Sequence, residues 1–305
     1  MKKIFLFLTL FIVISSACDL AVTVAPSNGS DPLPTNTMIP ANEAPTQIPS
    51  AATLIPTTEV PTLEPQSNTG TAVTYGALSL VVPSEVASGA SGSEYPRVDG
   101  SDAPWWQKTP GHLQVMLDDY YVLQGKSRQP QIYVYPALDY AELVPAAFES
   151  IHRLDNILYG PAAPINANQL PAVPFFNEAQ LFASNIQMIS FQNGQGIRFV
   201  TEYGQSASSA NNHDLFYQFQ GVTRDGAYYV VAIFPITAPV LAETSDAGAP
   251  LPPDGIPYQY MVDPNADMGA YYTAVTNLLN STPQDAFVPT INQLDALIQS
   301  MWIAP

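Results

Sequence analysis

The segment from residue 182 to residue 236 constrains the fold most, because four β-rich runs follow one another with short connections. The runs cover residues 182–192, 197–203, 213–222 and 227–236. Asn193 and Gly194 follow the first run, and Asp225 and Gly226 precede the last. These dipeptides favour the positive-φ turns of tight hairpins. The segment therefore predicts four consecutive antiparallel strands.

The last run differs from an ordinary half-buried strand. Tyr228, Val230 and Phe234 alternate with Val231 and Ile233, so both of its sides are apolar. A strand of this kind is buried on both faces of its sheet. We therefore expect other elements to cover the sheet on both sides of this strand.

Three further strands precede this segment. Apolar residues alternate at residues 78–82 and again at 113–117, which is typical of strands with one buried face. Residues 131–135 form a third strand between Pro130 and Pro136. Because proline cannot donate a ladder hydrogen bond, the flanking prolines limit the length of this strand and favour an edge position.

Helices are predicted between and after the strands. Pro145 suits a first helical position, Asp267 suits the cap of a second helix that ends near Ser281, and a third begins near Pro289. The inward face predicted for the first helix consists of Ala147, Phe148, Ile151, Leu154 and Leu158. Together these elements predict an α+β fold: a mostly antiparallel sheet of about six or seven strands with helices packed on both faces.

Residues 18–70 differ in composition from the rest of the chain. The 52 residues from Asp19 to Gly70 contain nine prolines, nine threonines and five acidic residues, with no lysine, arginine or aromatic residue. Such a stretch buries too little apolar area to offset its ordering entropy. We therefore expect a disordered tether before a single globular domain at 71–305. It is either a spacer of selected length or a linker whose length is unselected.

Residues 1–17 have the pattern of a secretory signal peptide. Two lysines precede an apolar run at residues 4–14, which is too short to span the roughly 30 Å hydrocarbon core as a helix. Small residues follow, and then Cys18, the single cysteine of the chain. The alternatives are a short anchor that stays attached and an incidental cysteine beside an ordinary cleavage site.

The residues around Cys18 resemble the lipobox of bacterial lipoproteins. The resemblance implies that the chain is cut before Cys18 and that the sulfur carries a diacylglyceryl group with fatty chains such as palmitate. Several acyl chains hold a protein on a bilayer almost irreversibly. The expected location is therefore extracytoplasmic, anchored to the cell membrane or envelope by lipid at Cys18.

The charge balance excludes nucleic acid as a partner. The chain has 26 acidic and 9 basic residues, and its net charge of -17 repels a phosphate backbone. One cysteine excludes a disulfide within the chain and a zinc site built from several thiolates. Phosphate-binding, dinucleotide-binding and zinc-protease motifs are all missing from the sequence, so we expect neither a cofactor nor a bound metal.

Trp105 and Trp106 are the first candidates for ligand binding. They are adjacent in a Gly-, Ser- and Pro-rich loop that begins near Ser88. Two adjacent indoles do not easily enter one pocket, so we expect one on the surface, as in sugar-stacking or partner-docking sites. The alternative is a loop folded over the core. Tyr203 and Tyr217 would add contacts if the sheet lines a groove.

His213 and Asp214 are the candidates for catalysis. They follow a serine-rich loop at residues 206–212 and are predicted to open a strand, without a nucleophile-elbow motif nearby. Asp263 and Asp267 have the spacing of calcium ligands, but the glycine and glutamate that such a loop requires are missing. Helix capping by Asp267 explains the same residues.

These features together favour a membrane-anchored extracytoplasmic lipoprotein that displays a non-enzymatic binding or interaction domain for a carbohydrate or peptide. An envelope hydrolase using His213 and Asp214, or a structural assembly factor, is the alternative. The order of elements resembles the Mog1/PsbP-like sandwich domains of some extracytoplasmic lipoproteins. That resemblance implies a binding or assembly role, and those domains share no common active site that could be transferred to this chain.

Overall fold

The structure is a computed structural model that describes residues 70–121, 125–259, 263 and 265–305. The predicted signal peptide, Cys18 and the predicted tether up to residue 69 lie outside the described residues. All described residues belong to one compact unit. Within it, ten strands and four α-helices follow one another along the chain.

The strands are β1 (Gly70–Tyr75), β2 (Leu78–Pro83), β3 (Gly89–Tyr95), β4 (His112–Asp118), β5 (Gln131–Pro136), β6 (Ala179–Phe191), β7 (Gly194–Gly204), β8 (Phe216–Thr223), β9 (Tyr228–Pro235) and β10 (Trp302–Ile303). The helices are α1 (Ala137–Leu143), α2 (Pro145–Tyr159), α3 (Met268–Ser281) and α4 (Ile291–Gln299). Seven strands form one antiparallel sheet in the order β3-β4-β5-β9-β8-β7-β6, and β1-β2-β10 form a second, smaller sheet.

The predicted meander is confirmed as β6 to β9, with its turns displaced slightly. Phe191 pairs with Gly194, so the β6–β7 turn consists of Gln192 and Asn193, one residue earlier than predicted. A Cβ at Gly194 would lie 2.1 Å from the Phe191 ring, so the close approach of the two strands requires glycine there. Gly226 has a φ of 71°, as expected for the β8–β9 turn.

The large sheet is covered on both faces. Helices α3 and α4 and the small sheet share one apolar core with Val230, Ala232 and Phe234 of β9. Helices α1 and α2 share the other core with Tyr229, Val231 and other residues. The predicted α+β architecture is therefore confirmed, and β9 is the central strand, buried on both sides as its sequence indicates.

Four local predictions are wrong. The segment predicted as a loop from Ser88 contains the strand β3, which pairs with β4. β5 pairs with both β4 and β9, so it is an interior strand; its prolines lie at its ends, where they do not interrupt the central ladder. β8 begins at Phe216, so His213 and Asp214 lie in a turn rather than in a strand. Phe148 is 54 % exposed, because α2 turns Ala147, Ser150 and Leu154 inward instead.

Candidate ligand-binding site

The tryptophan pair lies in the connection between β3 and β4. Trp105 begins a single 3-10 turn that ends at Gln107. Trp105 is 53 % exposed to solvent. Trp106 is half-buried. The two rings meet edge to face, with centroids 5.9 Å apart. One indole therefore lies on the surface, as the sequence indicates.

The predicted tyrosines do not join this pair. Tyr217 is fully buried in the core beneath α3 and α4, and its hydroxyl donates to Asp295 Oδ1 at 2.8 Å. Tyr203 lies on the other face of the sheet, where its ring packs 5.0 Å from Phe176. Tyr217 is therefore a structural residue, which corrects its placement in a ligand site: the sheet is covered on both faces at β8, so every residue of that strand is buried.

Other rings take the place of these tyrosines. The Phe175 centroid lies 5.3 Å from Trp105 and 6.3 Å from Tyr140, and Tyr140 lies 4.7 Å from Tyr135. The contacts continue across β5 and β4 to the end of β3. We call this connected set the aromatic band; its members are Trp105, Trp106, Phe175, Tyr140, Tyr135, Tyr133, His112 and Tyr95.

His112 lies at the end of the band that is formed by Tyr95, and its ring contacts Tyr95, Tyr133 and Tyr135. Its ring stacks on Tyr95 at 5.6 Å with an interplanar angle of 16°, and it lies 4.7 Å from Tyr135. Burial lowers the pKa of His112, and its Nδ1 is 2.9 Å from the Pro110 carbonyl oxygen. Because a carbonyl only accepts, Nδ1 carries the proton. In the neutral ring Nε2 therefore keeps a lone pair that can accept from a hydroxyl.

Five polar side chains and Met116 continue the surface from the band across β3, β4 and β5. Ser93 pairs with Gln114 and Gln114 with Tyr133, while Ser91, Met116 and Gln131 form the adjacent row. We call these six side chains the platform. Gln114 Nε2 donates to Gln131 Oε1 at 2.7 Å, which fixes both amides. The six platform side chains are exposed or half-buried. On the same sheet, helices α1 and α2 pack over β5, β7 and β9.

A small cleft adjoins the same end of the sheet. Its volume is about 300 Å³, and its lining includes Gly76, Glu94, Tyr95, His112 and Tyr228. Tyr95 and His112 belong to both the cleft and the band, so a ligand stacked on Tyr95 can extend toward the Glu94 carboxylate.

Burial raises the pKa of Tyr133 to about 12, so its hydroxyl stays protonated and can donate.

The chemistry of this surface suits a neutral ligand with flat apolar faces and many hydroxyls. The platform contains no lysine, arginine, aspartate or glutamate, and one carboxylate lies at its border, where Ser91 Oγ donates to Asp118 Oδ1 at 2.9 Å. Ring faces such as those of Tyr95 and Trp105 accept the C–H faces of a sugar, while amides and hydroxyls pair with its O–H groups. The sequence could have indicated Tyr133 and Tyr135, because residues two apart in a strand share a face.

The His213 and Asp214 side chains form a partly exposed hydrogen-bonded pair in a turn. His213 Nδ1 lies 2.7 Å from Asp214 Oδ1. Burial opposes ionisation of Asp214, but hydrogen bonds from His213, Asn211 and Ser127 outweigh it and lower the pKa of this carboxyl. In the described part of the chain, no serine or threonine hydroxyl is hydrogen-bonded to His213. The pair thus lacks the nucleophile contact of a hydrolytic triad.

Glu202 lies behind this turn and is fully buried. Its Oε1 accepts from the Asn211 N–H at 2.7 Å, while Oε2 has no hydrogen-bond partner among the described residues. Burial raises the pKa of Glu202 well above its usual value. Burial also lowers the pKa of the neighbouring Lys126 to about 8, and its ammonium donates to the Ile236 carbonyl at 3.0 Å. These groups fix the turn.

Neither metal ligation nor membrane crossing is seen in the described residues. They contain no group of three or more His, Cys, Asp or Glu side chains that could hold a metal ion. Asp267 caps α3 by accepting from the Ala270 N–H at 3.0 Å, which confirms the capping interpretation. None of the described helices is both long enough and apolar enough to cross a bilayer.

Comparison with protein families, with curated proteins and with solved structures finds no match to this chain. The resemblance of its element order to Mog1/PsbP-like domains therefore stays a prediction.

Proposed function

We propose that this chain is an extracytoplasmic lipoprotein, anchored to a membrane through Cys18, whose folded domain binds a neutral carbohydrate. The observation that supports the ligand class is the aromatic band beside an uncharged amide and hydroxyl platform. The small-residue exit before the single cysteine supports the anchor. The domain needs no reactive group for this role, since binding requires stacking and hydrogen bonds alone.

The arrangement favours carbohydrate over peptide at this surface. Tyr95 is 45 % exposed and Trp105 is 53 % exposed, so rings at both ends of the band are open to a ligand. A pair of stacked aromatic rings contributes about 0.5–1.5 kcal/mol beyond the buried area, and we take the same range for a sugar face on one of these rings. Tyr135 and Tyr140 in the middle of the band are buried, so a ligand would meet the exposed rings at its two ends, which suits separate sugar units of an extended oligosaccharide better than one compact anchor residue.

A neutral glycan array tests the proposal. We expect Tyr95→Ala and Trp105→Ala each to raise the dissociation constant for a bound glycan by about 2- to 12-fold, which corresponds to the stacking energy above. Tyr159→Ala and Trp302→Ala are matched controls, because both side chains are exposed and lie outside the band. Glycan binding that the band variants leave unchanged, or binding of none of the neutral glycans, would contradict the proposal.

The anchor has a separate test. Mass spectrometry of the mature protein should find an amino-terminal Cys18 with a diacylglyceryl thioether, and Cys18→Ser should shift the protein from the detergent phase to the aqueous phase. A mature chain that begins elsewhere with an unmodified Cys18 would refute the anchor while leaving the ligand proposal standing.

A further inference from the structure

A second cleft, of about 370 Å³, lies between α2, the segment 161–169 and β6. The helix contributes Arg153, Asn156 and Ile157, which are three or four positions apart and therefore share one side of α2. Met188 is the lining residue from β6. A cleft of this volume has the size of a small-molecule site.

Most of the cleft wall is apolar. Ile157, Pro161 and Pro164 are among the lining residues, together with Met188. Met188 pairs with Ile197 of β7, which belongs to the core beneath α1 and α2, so Met188 is on the same face of the sheet as α2. Met188 is nevertheless 57 % exposed, because no side chain of the domain fills the cleft beside it. The cleft therefore favours a ligand with an apolar body.

Arg153 differs from most of the other described arginines. Arg97, Arg128 and Arg198 each form an ion pair with a carboxylate of the chain. Among the described residues, the Arg153 guanidinium takes part in neither an ion pair nor a hydrogen bond. In a chain with a net charge of -17, it is a positive group whose counter-charge can come from a ligand.

The amides near Arg153 add hydrogen-bond donors. Gln169 Oε1 accepts from the Asn166 N–H at 3.0 Å, so the Gln169 side-chain nitrogen is the group left to donate to a ligand. Asn168 supplies a second amide. No aspartate or glutamate is among the described residues that line the cleft. The polar part of the cleft therefore suits a negatively charged acceptor group.

The wall formed by segment 161–169 is held in place by the residues that follow it. The Ala172 N–H donates to Ser150 Oγ of α2 at 3.3 Å. The Pro171 carbonyl accepts from Gln220 Nε2 of β8 at 2.8 Å. Because both contacts attach the end of the segment to regular elements, the cleft is formed before a ligand arrives. Binding to a preformed cleft costs less ordering entropy.

We propose that this cleft binds a small monocarboxylate, whose apolar body lies between the walls and whose carboxylate pairs with Arg153. A guanidinium matches a planar carboxylate with two parallel hydrogen bonds. One guanidinium balances one negative charge, and the net charge of -17 disfavours a doubly charged group such as a phosphate monoester. The cleft adjoins β6, whereas the platform lies on β3 to β5, so this site is independent of carbohydrate binding.

Hexanoate tests the proposal, with acetate and hexanamide as the probes that lack the apolar body and the charge, respectively. The full-length protein is titrated in nonionic detergent by isothermal calorimetry, and protein-free micelles provide the blank. We expect hexanoate to bind about tenfold more tightly than hexanamide near pH 7, because the amide loses the charge-assisted hydrogen bonds. Acetate should bind more weakly than hexanoate, because it buries little apolar area.

Two substitutions test the two parts of the cleft. Arg153→Gln should raise the dissociation constant of hexanoate about tenfold, and Arg153→Lys should restore part of the loss, because it keeps the charge without the planar fork. Arg224→Gln is the matched control, since it removes the same charge at an exposed position outside the cleft. Met188→Glu should also weaken binding by repelling the carboxylate, and Ser190→Glu is its control at an exposed position of the same strand.

Three results would overturn the proposal. They are the absence of hexanoate binding, equal affinities for hexanoate and hexanamide, and hexanoate binding that Arg153→Gln leaves unchanged. The second result would show that the site does not recognise charge, and the third would place the carboxylate elsewhere. Both Arg153 and Met188 are exposed, so we expect their variants to fold. If circular dichroism shows that one variant does not fold, the other decides the test.

Discussion

Arg198→Met should destabilise the folded domain by about 3–5 kcal/mol near pH 7, the usual cost of removing one partner of a buried ion pair. Arg198 on β7 is 1 % exposed, and its Nε lies 3.3 Å from Asp295 Oδ1 on α4. One terminal nitrogen also donates to Gln187 Oε1 at 2.8 Å. The substitution leaves the buried Asp295 carboxylate with the Tyr217 hydroxyl, at 2.8 Å, as its remaining donor among the described residues.

A double variant separates the buried charge from the loss of packing. Arg198→Met combined with Asp295→Leu leaves neither charge in the core, so most of the lost stability should return. A residual cost of about 1–3 kcal/mol is expected, because the buried Tyr217 hydroxyl then lacks its acceptor. Urea unfolding followed by tryptophan fluorescence measures the free energy of each variant. Additive effects of the two substitutions would refute the argument.

The pH dependence of the single variant gives an independent check. Burial raises the pKa of Asp295, and Arg198 opposes that rise in the wild type. Without Arg198 the pKa rises further, so the folded state binds more protons than the unfolded chain. The stability deficit should therefore shrink on acidification, by at most about 1.4 kcal/mol per pH unit. A deficit that grows on acidification would contradict this reasoning.

Three further predictions concern other parts of the domain. The pKa of Glu202 is raised in the folded state, so above about pH 4.3 the folded state binds more protons than the unfolded chain. The free energy of unfolding of the wild type, measured with urea, should therefore fall as the pH rises toward the folded pKa of Glu202. Glu202→Gln should make this free energy depend less on pH. Leu154→Ala should cost about 2–5 kcal/mol in the same assay, whereas Phe148→Ala on the exposed side of α2 should cost under about 1. Thr290→Ala should cost about 1 kcal/mol, because it removes the capping box of α4.

The parts of the fold that the sequence predicted are those with short-range signals. The turn at Asn193 connects β6 to β7, and the turn at Gly226 connects β8 to β9. Asp267 marks the start of α3. β3 was missed because its sequence, GASGSEY, has the composition of a loop. Its pairing with β4, and not its own propensity, makes it a strand. The interior position of β5 was missed for the same reason, since it depends on β4 and β9.

The candidate site was predictable in one part. Trp105 and Trp106 stand out as an adjacent pair, but their neighbours come from separate segments of the chain. Phe175 approaches Trp105 from the connection before β6, and Tyr95 meets His112 through the β3–β4 register. The burial of Tyr217 could not be predicted from β8 alone, because it follows from the elements that cover both faces of that strand. These contacts depend on how distant segments of the chain pair in the sheet, which the local sequence does not show.

The position of β1 has a mechanical consequence. It is the first described strand, and it belongs to the small sheet, where it pairs with β2 alone and packs Tyr75 against Gly92 of β3. If the proposed anchor at Cys18 holds the chain on a membrane, a pulling force on that anchor would enter the described part of the domain at Gly70. The ladder of β1 would yield first, and the central strands of the large sheet would stay paired. Because Tyr75 of β1 packs on β3, which also carries Tyr95, tension on β1 would act on the proposed carbohydrate surface before it reached the central strands.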